Sequence, residues 1–135
     1  GANALDVERR KAAVLIGHPK GGTIQASMAA VIGRRAVLYL PVGLEKRVCG
    51  NLDVLAAAVN SPDASGPRLM PVSGTIVTEL DAIKILTGCQ ADLIAAGGVC
   101  GAEGGCWIAV SGTDDQVSKA GDIIRSVVNE PPFEL

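Results

Sequence analysis

Aromatic side chains are nearly missing from this sequence: Phe, Tyr and Trp occur once each, 2% of 135 residues. A core built on packed rings is therefore excluded, and so is a platform for stacking single-stranded bases. Charge excludes a nucleic-acid partner a second time, since the formal net charge is −2 and the isoelectric point is near 5.3. The one basic cluster, Arg9-Arg10-Lys11, stands beside Asp6 and Glu8 and reads as a solvated face. No apolar run approaches the roughly 20 residues of a membrane span, and the N-terminus shows no signal-peptide-like apolar stretch. The single histidine, His18, has no serine or carboxylate at catalytic-triad spacing.

What is present is small and aliphatic. Hydrophobic residues make up 48% and charged residues 19%, with 17 glycines, so the chain folds around Val, Ile, Leu and Ala with tight turns. That composition predicts an α/β two-layer sandwich in a single domain, residues 1–135. The loop-like NSPDASGP, Asn60 to Pro67, divides it into two related βαβ-type halves, 1–60 and 67–135. A Rossmann-like doubly wound sheet is the alternative. The four cysteines, Cys49, Cys89, Cys100 and Cys106, are expected to be reduced thiols of a cytoplasmic protein. Close-packing small residues and a Pro-Phe tail ending at Phe133 point to a homo-oligomer.

Along the chain, Asn3 with Asp6 and Glu8 reads as a short helix start. Ala12 to His18 reads as a strand ended by Pro19, and Thr23 as the cap of a helix stopped by Gly33. Arg34 to Val42 is the next expected strand. Val48, Leu52, Leu55 and Val59 form the stripe of the following helix, and RLMPV a short strand. Gly74-Thr75 is expected to open a helix closed by Gly88, followed by a hairpin of Ala91–Ala96 and Cys106–Val110. Thr113-Asp114-Asp115-Gln116 spells a capping box for a last helix with Val117, Ala120, Ile124 and Val127 inward. The second half thus has strand–helix–strand–strand–helix order, ferredoxin-like without a last strand. GTIQASMAAVIG from Gly22 and GTIVTELDAIKILTG from Gly74 suggest an internal repeat with matching helix starts at Thr23 and Thr75.

Two stretches could carry chemistry. In GHPKGGTIQAS, a strand, a glycine turn and a helix start would offer free amides to an anion at Gly21, Gly22 and Thr23, assisted by Lys20 and His18. The lysine precedes the glycines and no Gly-Lys-Ser/Thr follows, which rejects a nucleotide-hydrolysing P-loop. Gly74 and Thr75 are the equivalent second receptor. In GGVCGAEGGCW, five glycines suggest close approach of backbone or ligand, with Cys100, Glu103 and Gly104 as contacts. The bland alternative is a turn joining two strands. Cys100 and Cys106 are spaced too widely for a zinc knuckle, so neither metal nor cofactor is expected.

The element order of the second half resembles that of compact alternating modules such as ACT-type or bacterial microcompartment domains. The resemblance implies a regulatory or shell-like oligomer. The functional expectation is a non-enzymatic module that binds a small anionic metabolite within a homo-oligomer. The alternatives are a small enzyme acting on a carboxylate-bearing substrate through His18 or Cys100, and a purely structural subunit.

Overall fold

The structure is a computed structural model that describes residues 1–131 and 134; the expected packing of Phe133 lies outside the described residues. The described residues are mixed α/β, with four α-helices and several small sheets, and the chain divides into two compact units, Gly1–Thr78 and Glu79–Leu135.

The first unit begins with a hairpin, not the helix expected from Asn3 to Glu8. Strand β1 (Ala4–Asp6) pairs antiparallel with β2 (Lys11–Ile16). The residues that resembled a helix cap serve the turn. Asp6 accepts the Arg9 N–H at 3.0 Å, and Asn3 Oδ1 accepts the Leu15 N–H across the hairpin at 3.0 Å. Asn and Asp satisfy backbone donors in turns as readily as at helix starts, so the same letters fit both. Strand β4 (Arg68–Val72) pairs antiparallel with β2, Leu69 opposite Leu15, to give the order β1-β2-β4.

Helix α1 (Gly22–Arg34) runs past Gly33, and the left-handed residue that ends it is Arg35. Its N-cap is Gly21, not Thr23, and no side chain caps it. The strand expected over 34–42 shortens to β3 (Tyr39–Pro41). After a 3-10 turn at Leu44–Lys46, helix α2 (Leu52–Val59) starts four residues later than its predicted stripe. Val48 precedes it and donates its N–H to the Leu5 carbonyl at 2.9 Å. Leu52 and Ala56 are the residues α2 buries, while Leu55 and Val59 are exposed. The facing sheet residues Ala4 and Ala13 are small, so the core of Ala4, Ala13, Leu52, Ala56 and Leu69 selects the alanine face for close approach.

Thr75 does not open a helix. Thr75–Val77 is strand β5, parallel to β3 with Ile76 opposite Leu40. Thr75, Ile76 and Val77 are all β-branched and fit a pleated strand. The helix starts beyond them, with Glu79 and Asp81 in its first turn, where the helix dipole favours acids. The two Gly-Thr-Ile triplets therefore adopt different structures, and the matching pair of helix N-termini is absent.

In the second unit, α3 (Glu79–Thr87), β6 (Gln90–Ala96), β7 (Cys106–Ser111) and α4 (Asp114–Ser126) follow in order. β6 and β7 form the predicted hairpin, Ala91 opposite Val110 and Ala96 opposite Cys106, with an irregularity between Leu93 and Ala95. Ile83, Cys89, Ala91 and Ala120 make its core, with Leu80, Ile108 and Val110 packed against them. Both halves of the Thr113–Gln116 capping box are present. On α4 Ala120 is the buried residue; Val117, Ile124 and Val127 are exposed, contrary to the predicted inward stripe. Among the described residues β5 pairs with β3 and β6 with β7, and these pairings do not by themselves establish the ferredoxin-like sheet expected of the second half. The described residues hold no doubly wound sheet, since β3–β5 is the one parallel strand pair among them.

Candidate functional site

The first candidate lies where β2 gives way to α1. Pro19 follows the strand, and Gly21 (φ 79°) and Gly22 (φ 64°) take the left-handed backbone that turns the chain into the helix. The turn is closed locally: the Gly21 N–H donates to the His18 carbonyl at 2.9 Å, and the Lys20 N–H to His18 Nδ1 at 3.1 Å. His18 is thus a turn acceptor through both its carbonyl and its Nδ1. The amides of Gly22, Thr23 and Ile24 find no acceptor among the described residues. They belong to the first turn, whose N–H groups have no partner within a helix and carry its partial positive charge.

Three hollows adjoin this turn. One of about 210 Å³ is bounded by His18, Gly22, Thr23 and Ile24. A second, of about 390 Å³, is bounded by His18, Pro19, Gly66 and Arg68. The third, of about 850 Å³, lies between Lys20, Gly21 and the flank of α1. No carboxylate lines any of them, whereas His18, Lys20 and Arg68 do. Arg68 is tied down by the carbonyls of Asn60 and Ser61 at 2.6 and 3.3 Å. The Lys20 ammonium makes no ion pair among the described residues. The surroundings therefore favour an anion.

The supposed second receptor is different. The Thr75 N–H donates to the Leu38 carbonyl at 2.8 Å, and a Cβ on Gly74 would stand 2.8 Å from the same oxygen. The Thr75 amide is spent on the sheet and Gly74 is crowded by backbone, so neither offers an opening to a guest.

The glycine loop between β6 and β7 holds itself together. The Gly97 N–H donates to the Gly105 carbonyl at 2.8 Å, Gly105 N–H to Ala102 at 2.9 Å, and Trp107 Nε1 to Gly97 at 3.3 Å. A Cβ on Gly98 would stand 2.7 Å from that of Ala102, so the loop's own backbone requires the glycine. Glu103 accepts the Gly101 N–H at 3.2 Å. Its own backbone N–H and that of Gly101 hold its carboxyl below the usual range. Cys100 is exposed at φ 55°, and Gly104 is exposed with its carbonyl 4.0 Å from Cys106 Sγ. The loop and the Gly17–Thr23 turn belong to different compact units.

Among the described residues no group of three His, Cys, Asp or Glu side chains is placed to hold a metal ion. No helix there is long and apolar enough to cross a membrane. The lining residues Gln25, Met28, Met70 and Arg68 were not singled out from sequence. The signal that would have found the methionines is their scarcity, two in the whole chain. The chain matches no protein-family model, no curated protein and no solved structure.

Proposed function

We propose that this chain is a non-enzymatic module that binds a small anion, a carboxylate or phosphate, at the N-terminus of α1 within a homo-oligomer. The observation that carries the reading is the set of unaccepted amides at Gly22, Thr23 and Ile24, residues that line a hollow of about 210 Å³. His18 lines the same hollow, Lys20 lines the larger one that adjoins it, and no carboxylate lines either. Binding without catalysis is supported by the employment of His18 Nδ1 in the turn. The assembled state is supported by large apolar side chains left in the open away from that turn: Ile85 at 73% and Val99 at 79% exposure.

The test is thermal unfolding with acetate, inorganic phosphate and chloride at matched ionic strength. A ligand at 100 times its Kd stabilises by about 2.7 kcal/mol, so acetate or phosphate should raise Tm over chloride. Lys20→Ala should reduce the gain. Equal Tm in all three salts refutes the anion site. Light scattering reads the assembly, and a monomer at micromolar concentration refutes that part.

A further inference from the structure

The two methionines of the chain line one hollow. Strand β2 alternates: Ala13 packs toward α2, whereas Val14 and Ile16 face the other way, and Met70, opposite Val14, shares their side. Helix α1 presents Gln25, Met28, Ala29 and Ile32 to the same space, at the i, i+3, i+4, i+7 spacing of one helical stripe. No residue of α1 is buried. An apolar floor and an apolar wall therefore border an open groove of about 850 Å³ with Lys20 and Gly21 at one end.

We infer that the ligand of this module is an amphiphilic carboxylate, whose head sits at the Lys20–Ile24 turn and whose acyl or aryl body lies along Met28, Met70 and Ile16. The inference rests on the anion reading above and adds the class of ligand. Volume supports a small molecule, since such sites span about 300–1,000 Å³ and are mostly apolar with a few polar groups. Methionine supports a body of adaptable shape, because its unbranched thioether repacks around different guests. Charge decides the orientation: Lys20 lines one end of this hollow, the unaccepted amides of Gly22, Thr23 and Ile24 belong to the adjoining hollow that shares Ile16 and Gly21 with it, and the lining further along α1 carries no charge.

The experiment is a titration of the whole chain with acetate, butanoate, octanoate, octan-1-ol and octylamine, followed by calorimetry and by amide and methionine-methyl NMR shifts. Each buried methylene strengthens binding by about fourfold, so octanoate should bind at least about tenfold tighter than butanoate even in an open groove. Octylamine, with the same body and opposite charge, should bind at least about tenfold more weakly than octanoate. Shifts should concentrate at Gly22, Thr23, Met28 and Met70. Met28→Gln, on the half-buried helix surface, should remove the chain-length gain; Met70→Gln repeats the test from the sheet side. Acetate binding without a chain-length gain overturns this inference and leaves the anion site standing. No binding of any carboxylate overturns both. Equal binding of octanoate, octan-1-ol and octylamine, shifts scattered over exposed side chains, or a groove closed by concentration-dependent association of two copies each overturns the inference.

Discussion

The side-chain amide of Asn60 pairs with the backbone of Leu69 in both directions: Nδ2 donates to the Leu69 carbonyl at 2.7 Å, and the Leu69 N–H donates to Oδ1 at 3.0 Å. A side chain thereby occupies the edge of β4 where another strand would pair. Two residues on, Pro71 has no N–H to offer. An edge closed in this way resists unwanted strand addition.

Asn60→Ala should therefore cost about 1–2 kcal/mol, two part-buried hydrogen bonds at their usual net worth. It should also increase aggregation during refolding. Urea denaturation and turbidity measure the two effects, and unchanged values in both would show that the pairing contributes nothing.

Asp6 should give the first unit an acid-sensitive stability. Its side chain is 3% exposed and accepts the Arg9 N–H at 3.0 Å and the Leu52 N–H at 3.3 Å. The Arg9 backbone N–H is the largest influence; against some desolvation, it and the Leu52 N–H hold the carboxyl below its ordinary value. A lowered folded pKa means the unfolded chain takes up the proton first as pH falls. The stabilisation is complete above the unfolded value of about 3.9 and fades as pH drops through the folded pKa. Relative to wild type, Asp6→Asn should be less stable at neutral pH, with the gap closing at strongly acid pH. A gap independent of pH would contradict the assignment.

Gly98→Val should loosen the hairpin loop, because its Cβ would meet the Ala102 Cβ at 2.7 Å. Overpacking of this kind costs about 1–3 kcal/mol. Trp107, the one tryptophan, donates to Gly97 in the same loop, so its fluorescence reports the change directly. An unchanged spectrum and midpoint would mean that the glycine serves something other than the loop's own packing.

Thr113→Ala should destabilise α4 by about 1 kcal/mol, the usual worth of an N-cap. The hydroxyl accepts the Gln116 N–H at 3.4 Å and the Gln116 side chain accepts the Thr113 N–H at 2.9 Å. Thr113→Ser should retain most of the stability. Helix-specific hydrogen exchange separates this effect from general unfolding.

What the sequence determined by itself is what neighbours along the chain settle between themselves. The Thr113 capping box closes over three residues, and the β6–β7 hairpin needs two apolar runs with a glycine turn between them. The turn into α1 was legible for the same reason, since Gly21 and Gly22 supply its left-handed backbone locally. The groove beside it was not legible, because Met70 reaches it from a strand whose partner, Val14, is far off in the chain. Tertiary pairing also decided between equal local signals. Gly-Thr-Ile starts a helix at Gly22 and leads into a strand at Thr75, because the second copy has the backbone of Leu38 to Pro41 to bond with. Asn3 and Asp6 could have capped a helix and instead serve a hairpin, since β2 offers the Leu15 N–H across it. Propensities differ by about a kcal/mol or less per residue, and a ladder of strand pairings outweighs them.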